Sequence, residues 1–180
     1  DHLTKHINQK VDFNDLSEKL FQLGHEHELK DNILDLEITP NRGDCLSIKG
    51  ILREISNFFS IEFLPQIYND PIEEFDFDFI NNSVEDCPNI SFLVIEISEV
   101  PNEYNYYLES YFEDLGIKKN NFFTDISNYL SYELGQPTHC YDFEKIGSKL
   151  ILDNQSKEQS FITLTNKKIK ISSSDLVFTN

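Results

Sequence analysis

His139 is the residue whose position the surrounding sequence defines most sharply. It lies in the run Gly135-Gln-Pro-Thr-His-Cys-Tyr-Asp142, directly after a segment with helical periodicity. A glycine can take the left-handed turn past a helix end, and a proline cannot continue the helix. The imidazole is therefore expected in extended chain just beyond a rigid stop, a well-anchored place for a polar side chain. Two uses fit that position: a group presented to a pocket, or a structural histidine that bonds the helix end or Asp142.

Other residues of the right chemical type are less sharply set. His25 and His27 stand two apart in the polar run His25-Glu-His-Glu-Leu-Lys-Asp31. Without a third ligand at standard spacing they are expected to be solvated, so no metal ligand is assigned. Asn41, Arg42 and Asp44 have catalytic residue types. They read instead as a turn lock, with Arg42 or Arg53 paired to Glu54 or Asp44. The Arg-Gly-Asp tripeptide 42–44 is too short a match to carry meaning. Carboxylate pairs such as Glu73 and Glu74, or Glu113 and Asp114, fall on polar faces and read as solvated. No GxxxxGK[ST], GxGxxG or HExxH pattern occurs, so no nucleotide, dinucleotide or metalloprotease site is expected and no cofactor-binding residue is assigned. Cys45, Cys87 and Cys140 are widely spaced and odd in number. They read as reduced thiols of a cytoplasmic protein, not as a disulfide framework or zinc site.

The elements that must position these residues follow from periodicity. Asp12 can cap a helix whose apolar face is Phe13, Leu16, Leu20 and Leu23, ended by Gly24. The segment 25–31 reads as a connection. Ile33–Ile38 alternates as a half-buried strand, and Thr39-Pro-Asn-Arg-Gly-Asp44 as a tight turn. A helix is expected over 46–59, capped by Asp44 or Ser47. An acidic stretch with Pro65, Pro71 and alternating Asp and Phe reads as a linker with one short strand. Ile90–Ile97 is apolar on both faces and is expected as a buried strand. A helix carrying Tyr104, Tyr107, Leu108, Tyr111, Phe112 and Leu115 is expected to end at Gly116, its aromatic stripe being core. Phe122, Ile126, Tyr129, Leu130 and Leu134 line one face of the next helix. Short strands are expected at 149–152, 159–164, 168–171 and 175–178. The fold class is α+β. A small α/β unit spans 1–63, its boundary near Phe63; an acidic linker spans 64–86; a helix pair against a β-rich layer spans 87–180.

Composition narrows the function. Fifteen basic residues against 32 acidic ones give a net charge of −17. Nucleic-acid affinity comes largely from cations on phosphates, so this chain is a poor main platform for RNA, and any such contact should be local. No apolar run reaches the roughly 18 residues that cross a bilayer, and no signal-peptide pattern opens the sequence. The first residue is Asp, not Met, so a trimmed or processed piece is expected. The lack of Ala, Met and Trp reads as a base-composition bias.

Two stretches identify a family. Asp125-Ile-Ser-Asn-Tyr-Leu-Ser-Tyr-Glu-Leu-Gly-Gln-Pro-Thr-His-Cys-Tyr-Asp142 resembles the "VDxTNYxxxELGQPxHxFD" segment in the B3/B4 editing domain of bacterial phenylalanyl-tRNA synthetase beta subunits. Asp35–Ile55, DLEITPNRGDCLSIKGILREI, resembles their "xLEITPNRPDCLSxxGxARE" segment. The opening helix with "LGHEHE" is similar to their "AGLEVE". The order is the family's, and the likeness covers most of the chain. It departs where the family's "SPxWLxxRL" helix becomes Asn105-Tyr-Tyr-Leu-Glu-Ser-Tyr-Phe112, without Trp and Arg. The tRNA-binding-type OB domain that the family inserts after the opening helix is replaced here by the short 24–31 loop.

The resemblance implies residues 1–63 as a B1-like unit without that insertion, and 87–180 as the first part of a B3/B4-type editing domain. It implies an aminoacyl-tRNA synthetase of two alpha and two beta subunits in the cytoplasm, which uses ATP and Mg²⁺ to ligate phenylalanine to tRNA(Phe). The ligation site belongs to the alpha subunit, so this segment would hold no cofactor itself. His139 would be an editing-pocket residue acting on mischarged Tyr-tRNA(Phe). The family draws the rest of that pocket from sequence beyond the part matching Asn180, so the 180 residues alone are expected to be inactive. The alternative is a noncatalytic, stand-alone binding or scaffold module derived from the same subunit.

Overall fold

Asp12 starts the first helix by accepting the backbone N–H groups of Asn14 and Asp15 (2.9 and 3.2 Å), two donors that no helical carbonyl can reach. This is seen in a computed structural model, which describes all residues except 1, 8, 32, 62–67, 148, 155–158 and 164–165, with only the backbone of Thr4. The boundary expected near Phe63 and the end of the strand expected at Leu164 lie outside the described residues. The chain forms two units, each discontinuous in sequence: Asp1–Asn69 with Glu99–Cys140, and Asp70–Ser98 with Tyr141–Asn180.

In the first unit, α1 (Phe13–Gln22) buries Leu16 and Leu20. Gly24, at φ 88°, reverses the chain into β1 (Glu26–Lys30), which pairs antiparallel with β2 (Ile33–Glu37). The segment expected as a connection is therefore a strand. The alternating β2 edge needs a hydrogen-bonded neighbour, and Asp31, at φ 54°, sits at the turn between them. His25 and His27 are not solvated either: His25 is 3% exposed. His27 Nδ1 donates to the His25 carbonyl (3.0 Å), so its Nε2 accepts from Ser17 Oγ (2.7 Å).

A short 3-10 turn, Gly43–Cys45, leads to α2 (Ile48–Ile55). Ser47, not Asp44, is the cap, accepting the Gly50 N–H at 3.0 Å. The helix is shorter than 46–59 because the N–H groups of Phe58 and Phe59 both return to the Ile55 carbonyl as a turn. Ile51, Leu52, Ile55 and Phe59 still join Leu16, Leu20 and Cys45 in one core, with Leu34, Leu36 and Ile38 against it.

The second pair of helices is α3 (Tyr106–Asp114) and α4 (Phe122–Leu134), capped by Asn105 on the Leu108 N–H and by Asn121 on the Thr124 N–H. Leu108, Tyr111 and Phe112 form a core with Ile126 and Tyr129, so the aromatic stripe is packing, as expected. The N-terminal segment covers it. His2 meets Tyr107 and Tyr111 edge-on and bonds Asp114 at 3.0 Å, Lys5 Nζ stands 3.7 Å over the Tyr107 ring, and His6 pairs with Glu133 at 3.2 Å. Burial pushes the Tyr107, Tyr111 and Tyr129 phenols up.

The second unit holds a three-stranded sheet in the order β3 (Asp78–Asn81), β4 (Lys149–Asn154), β7 (Leu176–Thr179). The β3–β4 pair is parallel and the β4–β7 pair antiparallel. Leu150 and Leu152 of the central strand are buried. The helix α5 (Phe143–Ile146) precedes β4, and β5 (Gln159–Ile162) and β6 (Lys168–Ile171) form an antiparallel pair. The overall class is α+β, as expected.

Ile90–Ile97 corrects the sequence reading: it is neither a strand nor buried, with Leu93 63% and Ile95 66% exposed. Apolar pattern alone does not make a strand; a ladder partner must be present, and none pairs with this segment among the described residues. Only Phe92 finds aromatic company, edge-on to Phe79 and Phe77 (4.8 and 5.9 Å between centroids).

Two outcomes follow from the first unit. A Cβ on Gly50 would lie 2.1 Å from the Asp44 carbonyl oxygen and 2.9 Å from Cys45 Cα, both backbone atoms. Gly50→Ala is expected to cost about 3 kcal/mol or more of unfolding free energy, read by urea denaturation. The buried phenols bind their protons more tightly folded than unfolded. Their stabilisation is whole below pH 10 and is lost as the pH rises through the folded values, about 12 for Tyr104, where desolvation is reinforced by the bond to Asp125. Urea midpoints should hold to pH 10 and fall above it. Tyr111→Phe, which removes a buried hydroxyl with no partner among the described residues, should make that fall shallower without loss at neutral pH.

Candidate functional site

The helix stop expected before His139 is built as the residue types require. Gly135 caps α4 in the left-handed region (φ 74°, ψ 11°), and its N–H bonds the Ser131 carbonyl at 2.9 Å. Close contact adds to the demand for glycine there, since a Cβ would sit 3.2 Å from Ser47 Oγ. The chain then runs back along α4. Ser127 Oγ donates to the Thr138 carbonyl at 2.8 Å and lies 3.0 Å from Thr138 Oγ1. Cys140 Sγ reaches the Phe123 carbonyl at 3.8 Å.

His139 is thus held between two residues tied to one helix. Its own imidazole is exposed and makes no hydrogen bond or ion pair with any described residue. Asp142 caps α5 on the Glu144 N–H and pairs with Lys145 at 2.9 Å, which holds its carboxyl below the usual range. The backbone around His139 is positioned while the side chain is left free to bond something else. That arrangement suits a group that donates to, or accepts from, a bound molecule or a water.

Arg42, Asp44, Arg53 and Glu54 come together as the turn lock expected from sequence. Arg42 makes a two-pronged contact with Asp44 (3.0 and 3.1 Å) and reaches Glu54 at 2.7 Å, and Arg53 pairs with Asp44. The Arg42 bond holds the Asp44 carboxyl at about 2, and Asp44 in turn raises Arg42. Each member is saturated by another, so the group is geometry-setting. Glu73, Glu74, Glu113 and Asp114 are exposed.

Asp125 was not singled out from sequence. It is 1% exposed, accepts the Tyr104 hydroxyl at 2.7 Å and takes the Asn120 N–H on both oxygens (2.9 and 3.2 Å). It borders a cleft of about 320 Å³ lined by Pro101, Tyr104, Lys119, Asn120 and Phe122. The signal available in the sequence was its place in the first turn of a helix after a capping Asn. In the second unit a cleft of about 370 Å³ is lined by Asn82, Ser83, Glu85, Asp86 and Asn154. His139 lines neither of these.

Comparison with known proteins matches residues 86–180 to the B3/4 domain family. Over a longer stretch the chain is similar to phenylalanine–tRNA ligase beta subunits. It is 35% identical to that of Blochmanniella floridana over 143 residues (78% of this chain, 18% of the relative) and 35% identical to that of Listeria monocytogenes over 157 residues (84% and 20%). It is 33% identical to that of Aquifex aeolicus over 148 residues (82% and 19%). The chain spans about a fifth of the length of these curated relatives.

Removing the Ser127 hydroxyl tests the clamp. Ser127→Ala should cost about 1 kcal/mol and speed amide exchange selectively over residues 136–140, with the core amides of α3 unchanged.

Proposed function

We propose, from the premise that this chain belongs to the B3/4 domain family, that it is an N-terminal segment of a phenylalanine–tRNA ligase beta subunit and begins the pocket that edits mischarged Tyr-tRNA(Phe). In that role it supports a cytoplasmic enzyme of two alpha and two beta subunits. ATP and Mg²⁺ act at the alpha subunit, and the described residues of this chain are assigned no part in holding them. Aminoacylation of tRNA(Phe) is then a property of the assembled enzyme, and these 180 residues alone carry none of it.

The observation that carries the editing role is His139: clamped through Thr138 and Cys140, exposed, and without a bond of its own among the described residues. Editing adds water across the aminoacyl ester, releasing tyrosine and restoring the free hydroxyl at the tRNA 3′ end. A positioned imidazole serves by orienting that water or by bonding the ester. The apolar run Ile90–Ile97 supports the further reading that the segment works packed against more protein. So continuous an apolar stretch is costly to leave in water. The net charge of −17 is consistent with tRNA being held mainly by other parts of the enzyme.

The charge also favours a second reading, a noncatalytic scaffold derived from the same subunit. One experiment separates the two: deacylation of Tyr-tRNA(Phe) by the longest natural chain that contains this segment, wild type and His139→Ala. The editing reading expects hydrolysis that falls by about 100-fold in the variant, while thermal stability stays within about 0.5 kcal/mol because the side chain is exposed and unpaired. An inactive parent, or a variant that hydrolyses as fast as wild type, rejects His139 as an editing residue.

A further inference from the structure

His25, Cys45 and Glu54 place an imidazole nitrogen, a thiol sulfur and a carboxylate oxygen within 4.8 Å of one another. Three separate elements bring them there. His25 follows the Gly24 reversal, its N–H bonded to the Leu20 carbonyl at 3.0 Å. Cys45 closes the 3-10 turn before α2, and Glu54 lies in the last turn of that helix. His25 and Cys45 are 3% and 2% exposed, and the Glu54 side chain is 19% exposed.

A second observation points the same way. His25 Nε2 is buried and has no hydrogen-bond partner among the described residues. Polar atoms left so in a protein interior are rare and costly. This one belongs to the same imidazole whose ring brings a nitrogen to within 4.8 Å of the thiol and the carboxylate.

We propose that His25, Cys45 and Glu54 form a binding site for a divalent transition-metal cation of the zinc type, with water completing the coordination. Imidazole, thiolate and carboxylate together are the donor set that zinc accepts, in a site with one open position. Tetrahedral coordination with bonds of about 2.0–2.3 Å brings donor atoms to about 3.3–3.8 Å apart, so closure needs side-chain shifts of about 1 Å or less. On binding, the Cys45 thiol gives its proton to solvent and its sulfur lone pair to the metal.

Arg42 is the competitor already in place, its guanidinium 2.7 Å from Glu54 and 2.9 Å from Cys45 Sγ. Its Nε bond to Asp44 uses a nitrogen that neither contact shares, so it keeps a partner when Glu54 turns to the metal. Before binding, Arg42 and Arg53 balance Asp44 and Glu54. A dication less one thiol proton adds a single positive charge, inside a chain of net charge −17. The site would tie the α1–β1 reversal to the turn and to α2, and it is separate from His139 and from the editing reading.

The test is cobalt(II) titration of the full, metal-stripped chain, with zinc(II) as competitor. Expected are one equivalent of cobalt, a thiolate-to-cobalt charge-transfer band, and its displacement by zinc. Cys45→Ser should lose the band. His25→Asn and Glu54→Gln should each weaken zinc binding by about 100-fold or more. Cys87→Ser with Cys140→Ser, and His27→Asn, should bind as wild type. Glu54→Gln keeps an acceptor for Arg42, so it tests the ligand in a chain whose folding is checked by circular dichroism. A folded wild-type chain with no charge-transfer band, a band that survives Cys45→Ser, or one lost with Cys87 and Cys140 overturns the proposal.

Discussion

The approach of α2 onto the turn before it depends on Gly50 having no side chain. The Asp44 carbonyl occupies the space a Cβ would need, so helix and turn meet backbone to backbone. At that separation Ser47 can cap the helix while its own side chain lies against Gly135 at the far end of α4. The same packing drives Cys45 into the core beside Leu52 and Ile55. It also holds Arg42, Asp44, Arg53 and Glu54 close enough to pair in one network. Two glycines and one serine thus link the N-terminal core to the helix that precedes His139.

That linkage explains why the His139 segment is ordered without using its histidine. Order comes from the glycine stop, the Ser127 bonds to Thr138 and the contact of Cys140 with the Phe123 carbonyl. A side chain that makes no hydrogen bond among the described residues is free to serve a ligand. Asp125 is the contrast. It lies in the same helix, buried, with both oxygens filled by Tyr104 and Asn120, bonds that tie the start of α4 to the chain before it. Chemistry-capable residue type therefore separates into two uses by partner count, which only the tertiary structure sets.

The Ile90–Ile97 run shows a second constraint. Its side chains are those of a core strand, yet they face solvent in this chain. A strand exists by its ladder, and a buried face exists by what covers it; both belong to neighbours, not to the segment. The three-stranded sheet of the second unit meets that requirement through β4, whose two flanking strands lie before and after it in the sequence.

Local signals were enough to place four helices and the glycine stops of three of them: Asp12, Ser47, Asn105 and Asn121 are short-range caps, and Gly24, Gly116 and Gly135 all take positive φ where a helix must end, while the end of α2 and the short α5 were not read from sequence. The α+β class, the aromatic core of α3, the turn lock around Arg42 and the placement of His139 after a rigid stop were legible for the same reason. Tertiary structure alone decided that the 25–31 segment is a strand, that His25 is buried beside Cys45 and Glu54, and that Ile90–Ile97 stays uncovered. In each case the outcome turns on a neighbour, present or absent, that lies outside the segment itself. A one-dimensional pattern records which face is apolar, but not what that face will meet.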